Sequence, residues 1–128
     1  MPQTKAYAAP AAPGVYSFQI TGMSEESMGD FPMFLDNKVE TDATIYVKIK
    51  QLGYGSKFIN VDGVYSKFQE VQSVPIIEYI NYGKTVVGWD ITYKIDNLEK
   101  GMHNIEFGCI GVNFPSRTLR DNATILKI

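Results

Sequence analysis

The amino-acid sequence predicts an all-β domain built from two packed sheets, and three observations support this fold class. Several short segments alternate apolar and polar residues with a period of two, which is typical of half-buried strands. Gly, Pro, Asn and Asp separate these segments at short intervals, as turns require. The chain has 128 residues, 45 % of them hydrophobic, which is enough for one core. Seven or eight such strands predict a sandwich or barrel.

The start of the chain differs in composition from the remainder. Residues 1–14 hold five alanines and three of the six prolines. Proline opposes helix and biases its neighbours toward extended backbone. We therefore predict an extended N-terminal arm over residues 1–14 and a single domain over residues 15–128. The arm is either a loose terminus or a segment that lies on a neighbouring subunit, with Tyr7 as its anchor.

Two strands are predicted in the first half of the domain. The first covers residues 15–21 and the second covers residues 44–50. Their apolar residues recur at every second position. The expected core-facing residues are Tyr16, Phe18 and Ile20 in the first strand, and Ile45, Val47 and Ile49 in the second.

The clearest local signal is a two-residue hairpin. Asp62-Gly63 separates residues 58–61 from residues 64–68, and both flanks read as strands. Aspartate followed by glycine supplies the positive φ angles of a type I′ turn.

Four further strands are predicted along the rest of the chain. They lie within residues 74–82, 87–95, 104–112 and 123–128. Pro75 cannot donate to a sheet ladder, so the first of these is expected to begin at an edge or in a connection. The longest alternation places five apolar residues on one face: Val87, Trp89, Ile91, Tyr93 and Ile95.

One corner of the sequence resembles immunoglobulin-like and fibronectin-type sandwiches. In those folds, Leu-x-x-Gly-x-Tyr follows a strand, and apolar residues then recur at every second position. Here Leu98, Gly101 and His103 occupy the three fixed positions, with His103 in place of the tyrosine. Histidine can still donate a hydrogen bond across the corner. The resemblance covers about a fifth of the chain and implies an Ig-like sandwich, of the kind also found in phage accessory proteins; it implies no activity.

Charge and hydropathy bound the partners that we expect. The net charge is −2 with both signs mixed, which does not indicate a nucleic-acid footprint. No apolar run approaches the roughly 18 residues that span a bilayer, so we expect no membrane insertion. The N-terminus lacks the apolar core of a secretion signal, and one cysteine allows no internal disulfide. We expect a protein made in a reducing compartment.

Catalytic motifs are missing from the sequence, and we expect a protein that is not an enzyme. His103 and Cys109 are the sole histidine and cysteine. On one strand face they are separated by roughly 20 Å at about 3.3 Å per residue, too far for a nucleophile and its base. A zinc site needs more such ligands, and no glycine-rich phosphate loop is found. We therefore expect no cofactor and no metal. Carboxylates that meet in space are the one catalytic alternative left open.

Residues 22–42 are the unusual stretch, with three methionines, two phenylalanines and six acidic residues against one lysine. One interpretation is a long acidic loop whose thioethers and rings adapt to a protein partner. The candidate contact residues are Met28, Phe31, Met33 and Phe34. The other interpretation is an edge strand over the core, since Phe31, Met33 and Leu35 alternate.

Tyrosines are a second candidate for binding. The strand register places several of the eight on outward faces or in turns: Tyr46, Tyr54, Tyr65, Tyr79 and Tyr82. Aromatic platforms of this kind bind sugar rings in carbohydrate-binding modules. Tyrosines are also common as ordinary sheet formers.

Three function classes compete on these observations, and the third of them is an intracellular enzyme or a small-ligand barrel. The first is a structural or interaction protein of a larger assembly, such as a decoration subunit on the surface of a phage virion. Its arm and edge strands would pair with neighbouring subunits in a homo-oligomer. The second is a carbohydrate-binding module or adhesin domain that binds surface glycans. Calcium on side chains such as Asp62 or Asp96 would accompany the second class.

Overall fold

The computed structural model of the protein describes residues 13–81, 83–114 and 116–128. Nine strands and one short 3₁₀ turn, Leu35–Asn37, make up the described chain. The strands are β1 (Ser17–Ser24), β2 (Lys38–Thr41), β3 (Ile45–Leu52), β4 (Gly55–Val61), β5 (Val64–Ser66), β6 (Gln69–Ile80), β7 (Gly83–Ile95), β8 (Gly101–Gly111) and β9 (Thr118–Lys127).

The strands form two sheets, which confirms the predicted all-β two-sheet sandwich. One sheet has the order β1-β3-β7-β6 and the other the order β2-β9-β8-β4-β5. Immunoglobulin-like sandwiches place strands A, B, E and D in one sheet and G, F and C in the other. Here β1-β3-β7-β6 follows the order A-B-E-D and β9-β8-β4 follows G-F-C. β2 and β5 are additional strands at the edges of the second sheet. The predicted N-terminal arm lies outside the described residues except for Pro13 and Gly14.

The core consists of the inward residues of both sheets. β3 contributes Ile45, Val47 and Ile49 as predicted, and β8 contributes Ile105, Phe107 and Cys109. The first strand differs from the prediction in one respect. Tyr16 is about half exposed while Val15 is fully buried. Val15 precedes β1, and its N–H donates to the carbonyl of Tyr54 (3.0 Å).

The predicted hairpin is present between β4 and β5. Val61 pairs directly with Val64. Asp62 and Gly63 both have positive φ angles, 51° and 84°, as a type I′ turn requires. This hairpin and the corner between β7 and β8 lie at the same end of the sandwich.

The corner is closed by the imidazole of His103. Its Nε2 lies 2.7 Å from the carbonyl oxygen of Glu99, and its Nδ1 lies 2.7 Å from Oδ2 of Asp62. The other carboxylate oxygen of Asp62 accepts the backbone N–H of Asn104 at 2.8 Å. Carboxylate and carbonyl oxygens only accept hydrogen bonds, so both contacts are made as hydrogen bonds when the ring is the imidazolium, which donates from both nitrogens. His103 thus fastens the corner to the hairpin turn.

This contact makes the stability of the fold depend on pH. The hydrogen bond to Asp62, and then the one to Glu99, raise the pKa of His103. The N–H of Asn104, and then His103, lower the pKa of Asp62. The histidine contribution is complete below its unfolded pKa of about 6.5 and is lost as pH rises through the raised folded value. The aspartate contribution is present above about pH 3.9 and is lost as pH falls through the lowered folded value.

We therefore expect His103→Gln to be less stable than the wild type at pH 5 to 6, and the deficit to shrink above pH 7. Thermal unfolding from pH 4 to 9 measures this. The matched control is Asp62→Asn, which keeps a residue suited to the turn and an acceptor for Asn104 but removes the charge. Like His103→Gln, this variant should lack the part of the stability that the wild type loses as pH rises through the folded pKa of His103. A deficit that stays constant from pH 5 to 9 contradicts the ion pair.

Residues 25–34 form a connection between the two sheets, and the predicted edge strand at Phe31, Met33 and Leu35 is wrong. The backbone there makes a 3₁₀ turn over Leu35–Asn37, with Asp36 in a left-handed conformation. The edge strand is instead β2, which pairs in parallel with β9.

Candidate interaction surface

The two sheets have four edges, and they differ in how far they are covered. The β1 edge is covered by the connection, since the N–H of Met23 donates to the carbonyl of Pro32 (3.0 Å). The edges at β2 and β5 are short, four and three residues long. β6 is 12 residues long and borders no further strand in the described part of the chain. It is the long open edge of the fold.

The last third of β6, residues 77–80, extends past the end of its second neighbour in the sheet, β3. The last strand position that β3 shares with β7 is Leu52 against Gly88, and Gly88 pairs with Ile76. Residues 77–80 and 83–86 continue as a two-stranded ladder past that point. We call residues 76–80 with 83–87 the overhang. A two-stranded ladder alone is marginally stable in water, so the overhang depends on its root or on a partner.

The overhang exposes apolar side chains on both of its faces. Ile77 and Tyr79 share one face and Ile80 lies on the other, following the alternation of the strand. Tyr79 is 74 % exposed, and Ile77 and Ile80 are each nearly half exposed. Lys84 covers part of the Tyr79 ring, with Nζ 5.9 Å from its centroid.

Other apolar residues lie at the same end of the sandwich, which we call the entry end because the described chain enters there at Pro13. The connection from β8 to β9 presents Val112 and Phe114, which is 89 % exposed. The N–H of Gly14 donates to the carbonyl of Phe114 at 3.3 Å. Tyr16 adds a half-exposed ring. Clustered exposed apolar groups of this kind mark interaction sites in soluble proteins.

The root of the overhang is held rigidly. The Tyr54 ring meets the ring of Trp89 edge-on, with centroids 5.0 Å apart. Its hydroxyl donates to the carbonyl of Val86 at 3.0 Å, and its N–H donates to the carbonyl of Pro13 at 2.9 Å. Gly88 lets the β3 backbone approach closely, because a Cβ there would overlap the carbonyl of Gln51. These contacts tie the overhang to the β3–β4 turn and to the start of the described chain.

The predicted contact residues of the connection do not form one surface. Phe31 lies beneath Lys48, with Nζ 4.7 Å from the ring centroid, and Phe34 packs partly against the core. Met28 is 81 % exposed and lines a cleft beside β6. Met33 is also exposed but lines a different cleft, beside β1. A contact role for these four residues remains a prediction.

Tyr7, the predicted anchor of the arm, lies outside the described residues, as does Tyr82. The remaining tyrosines do not make a row. Tyr54 is engaged at the root of the overhang. Tyr79 belongs to the overhang and Tyr65 to β5 of the opposite sheet.

The two residues considered for nucleophilic chemistry are both engaged elsewhere. Cys109 is buried in the core, and burial raises the pKa of its thiol to about 11. His103 lies at the far end of β8 with both ring nitrogens in hydrogen bonds. No group of three or more His, Cys, Asp or Glu that could hold a metal ion occurs among the described residues. The described chain also contains no helix with the length and hydropathy of a membrane span.

An open cleft of about 340 Å³ lies where the two sheets part between β5 and β6. Its aromatic lining is Phe58, Tyr65, Phe68 and Tyr93. Lys57 and Glu70 join the two sheets across it at 3.4 Å. Rings beside charged and hydroxyl groups are a surface that sugars can stack on.

Sequence reasoning missed the entry end. Residues 74–82 carry a visible signal, since they hold six large aliphatic or aromatic side chains in nine residues. The sequence does not show that β3, in the same sheet, ends before them. Phe114 carried a weaker signal, as an apolar residue between two predicted strands, and Val112 was the last residue of the predicted strand 104–112.

The described residues form a two-sheet β-sandwich domain with exposed apolar side chains at its entry end. Residues 8–125 match the family model described as a domain of unknown function, DUF4879. The match covers most of the chain, so the protein belongs to this family. No curated protein and no solved structure matches the chain.

Proposed function

We propose that this protein is a non-enzymatic structural subunit that binds neighbouring protein subunits through its entry end. The observation that carries the proposal is the overhang, a ladder with apolar side chains exposed on both faces. An accessory position on a phage particle is the setting that we propose for such a subunit. The proposed partners are further copies of the chain and the subunits around them.

Three features support a contact surface at the entry end. Phe114 and Tyr79 are large, aromatic and exposed, and such residues dominate the binding energy of protein interfaces. The root residues Tyr54 and Trp89 are locked together, so little order has to be gained on binding. β6 offers unpaired backbone groups beside the apolar side chains.

The test is the mass of the full chain in solution over a range of protein concentrations. We expect a dimer or larger assembly for the wild type. Phe114→Asp places a charge at the entry end and should raise the apparent dissociation constant of the assembly by roughly 10- to 100-fold. Thermal unfolding of the variant should match that of the wild type at concentrations where both are monomeric, because Phe114 lies outside the core.

Met102→Asp is the matched control. Met102 is an exposed apolar residue of β8, and it pairs with Leu126 at the end of the sandwich opposite the entry end. This variant should assemble like the wild type. A wild type that is monomeric at every concentration contradicts the proposal, and so does equal weakening by both substitutions.

The aromatic cleft favours a second candidate function, the binding of a glycan. A glycan array with the labelled chain tests it directly. Binding that Tyr65→Ala abolishes while Phe114→Asp leaves it intact would favour this candidate. An array with no bound glycan rules it out for the sugars displayed.

A further inference from the structure

We infer that residues 1–12 of a second copy of this chain dock on the overhang, with Tyr7 as the side chain that anchors them. The inference rests on the proposed function and assigns the acceptor site. It describes a reciprocal exchange, in which each of two facing copies gives its arm and receives the other.

The place where the described chain begins supports this occupant. Pro13 and Gly14 are fixed against Tyr54, through the 2.9 Å bond to the Pro13 carbonyl and an isolated parallel bridge. Tyr54 is also the residue that holds Val86 of the overhang. The segment of residues 1–12 therefore joins the described chain beside the root of the overhang.

The chemistry of the two segments is complementary. Residues 1–12 hold five alanines, two prolines and Tyr7, with Lys5 as their one charged side chain. Small side chains let a backbone approach an open strand edge closely, and proline limits the conformational freedom lost on docking. The face with Ile77 and Tyr79 offers apolar area for a tyrosine ring.

The reach of the segment fits the size of the acceptor. Tyr7 precedes Pro13 by six residues, which allows at most about 20 Å at 3.3–3.6 Å per residue. Residues 76–80 extend for roughly 15 Å at about 3.3 Å per residue. An anchor at Tyr7 can thus reach the overhang of a copy whose entry end faces its own.

A second copy explains more than docking of the arm on its own chain. Facing entry ends would also cover Val112 and Phe114, which lie on the other sheet from the overhang. Donor and acceptor lie at the same end of each copy, so the exchange closes with two-fold symmetry and leaves no open site.

The experiment uses two full-length variants that fail on opposite sides of the contact. Tyr7→Asp removes the anchor but keeps the overhang, and Ile77→Asp spoils the overhang but keeps the arm. Each alone should dissociate at least tenfold more easily than the wild type in light scattering. An equimolar mixture should recover a dimer, because one intact arm meets one intact overhang. Emission of Trp89, the single tryptophan, should change with this recovery.

The outcomes separate this inference from the proposed function. If the wild type assembles but the mixture stays monomeric, arm exchange is overturned and the proposed function stands. If the two single variants assemble like the wild type, arm exchange is also overturned and the proposed function stands. A wild type that never assembles overturns both. Thermal unfolding of each variant checks that Ile77→Asp retains the fold.

Discussion

Phe107→Ala is expected to remove about 3–5 kcal/mol from the free energy of unfolding, the largest effect of any single truncation in this domain. Phe107 is fully buried at the centre of β8, and its ring lies 5.8 Å from that of Tyr93 on the opposite sheet. Truncation loses the transfer free energy of the ring and leaves a cavity between the sheets. Urea unfolding at pH 7 measures the loss.

Phe114→Ala provides the matched control, with the same chemical change at an exposed site. It should alter the free energy of unfolding by less than about 0.5 kcal/mol. Measurements at two protein concentrations separate any contribution of assembly, because only that contribution depends on concentration. Similar losses for the two variants would contradict the core position of Phe107.

A domain of this size has a total stability of roughly 5–15 kcal/mol. The loss at Phe107 therefore takes a large part of it, and the variant should populate unfolded chains at moderate temperature. This sensitivity follows from the sandwich architecture, in which one layer of inward side chains holds two sheets together.

Local patterns were sufficient to predict much of the core and one turn. Ile45, Val47 and Ile49 alternate with polar residues, and that period by itself defines a face. Asp62-Gly63 carries its own backbone preference, so the type I′ turn needs no tertiary information. These features depend on a few neighbouring residues, and the structure confirms them.

Features that depend on distant parts of the chain were not predictable in the same way. β2 is four residues long and pairs in parallel with β9, more than 80 positions later. Tyr16 follows the alternation of Phe18 and Ile20, yet it is exposed because it lies at the entry end. The overhang exists because β6 and β7 run past the end of β3 in the same sheet, and no single segment shows that difference.

The hydrogen bonds of His103, which stands in place of the tyrosine at the corner, were predictable in part. The position of His103 after Leu98 and Gly101 indicated a donor across the corner, and its Nε2 contacts the carbonyl of Glu99. The second contact, to Asp62, joins two separately predicted turns. Sequence alone did not bring those turns together, since their pairing requires β4 and β8 to be neighbours.

Gln51→Glu is expected to destabilise the fold strongly at neutral pH and only weakly in acid. Gln51 is 2 % exposed and points into the core, where its Nε2 donates to the carbonyl of Gly53 at 2.9 Å. A glutamate has nearly the same shape, but its carboxylate cannot donate and would face that carbonyl. The other amide atom of Gln51, Oε1, has no hydrogen-bond partner among the described side chains and backbone.

The pH dependence of this variant has a definite sign. Burial would raise the folded pKa of the new carboxyl above its unfolded value of about 4.3. The protonated acid can still donate to Gly53, so stability near that of the wild type should be present below pH 4. It should fall as pH rises through the raised folded pKa, by about 1.4 kcal/mol for each unit of pKa difference.

Urea unfolding of Gln51→Glu and the wild type at pH 4 and pH 7 tests this expectation. Gln51→Met, which is similar in volume and uncharged, is the control and should show no such pH dependence. Two outcomes would contradict the buried position of Gln51 beneath the entry end. One is a glutamate variant as stable as the wild type at pH 7. The other is a loss of equal size at both pH values, which would trace the damage to packing instead of charge.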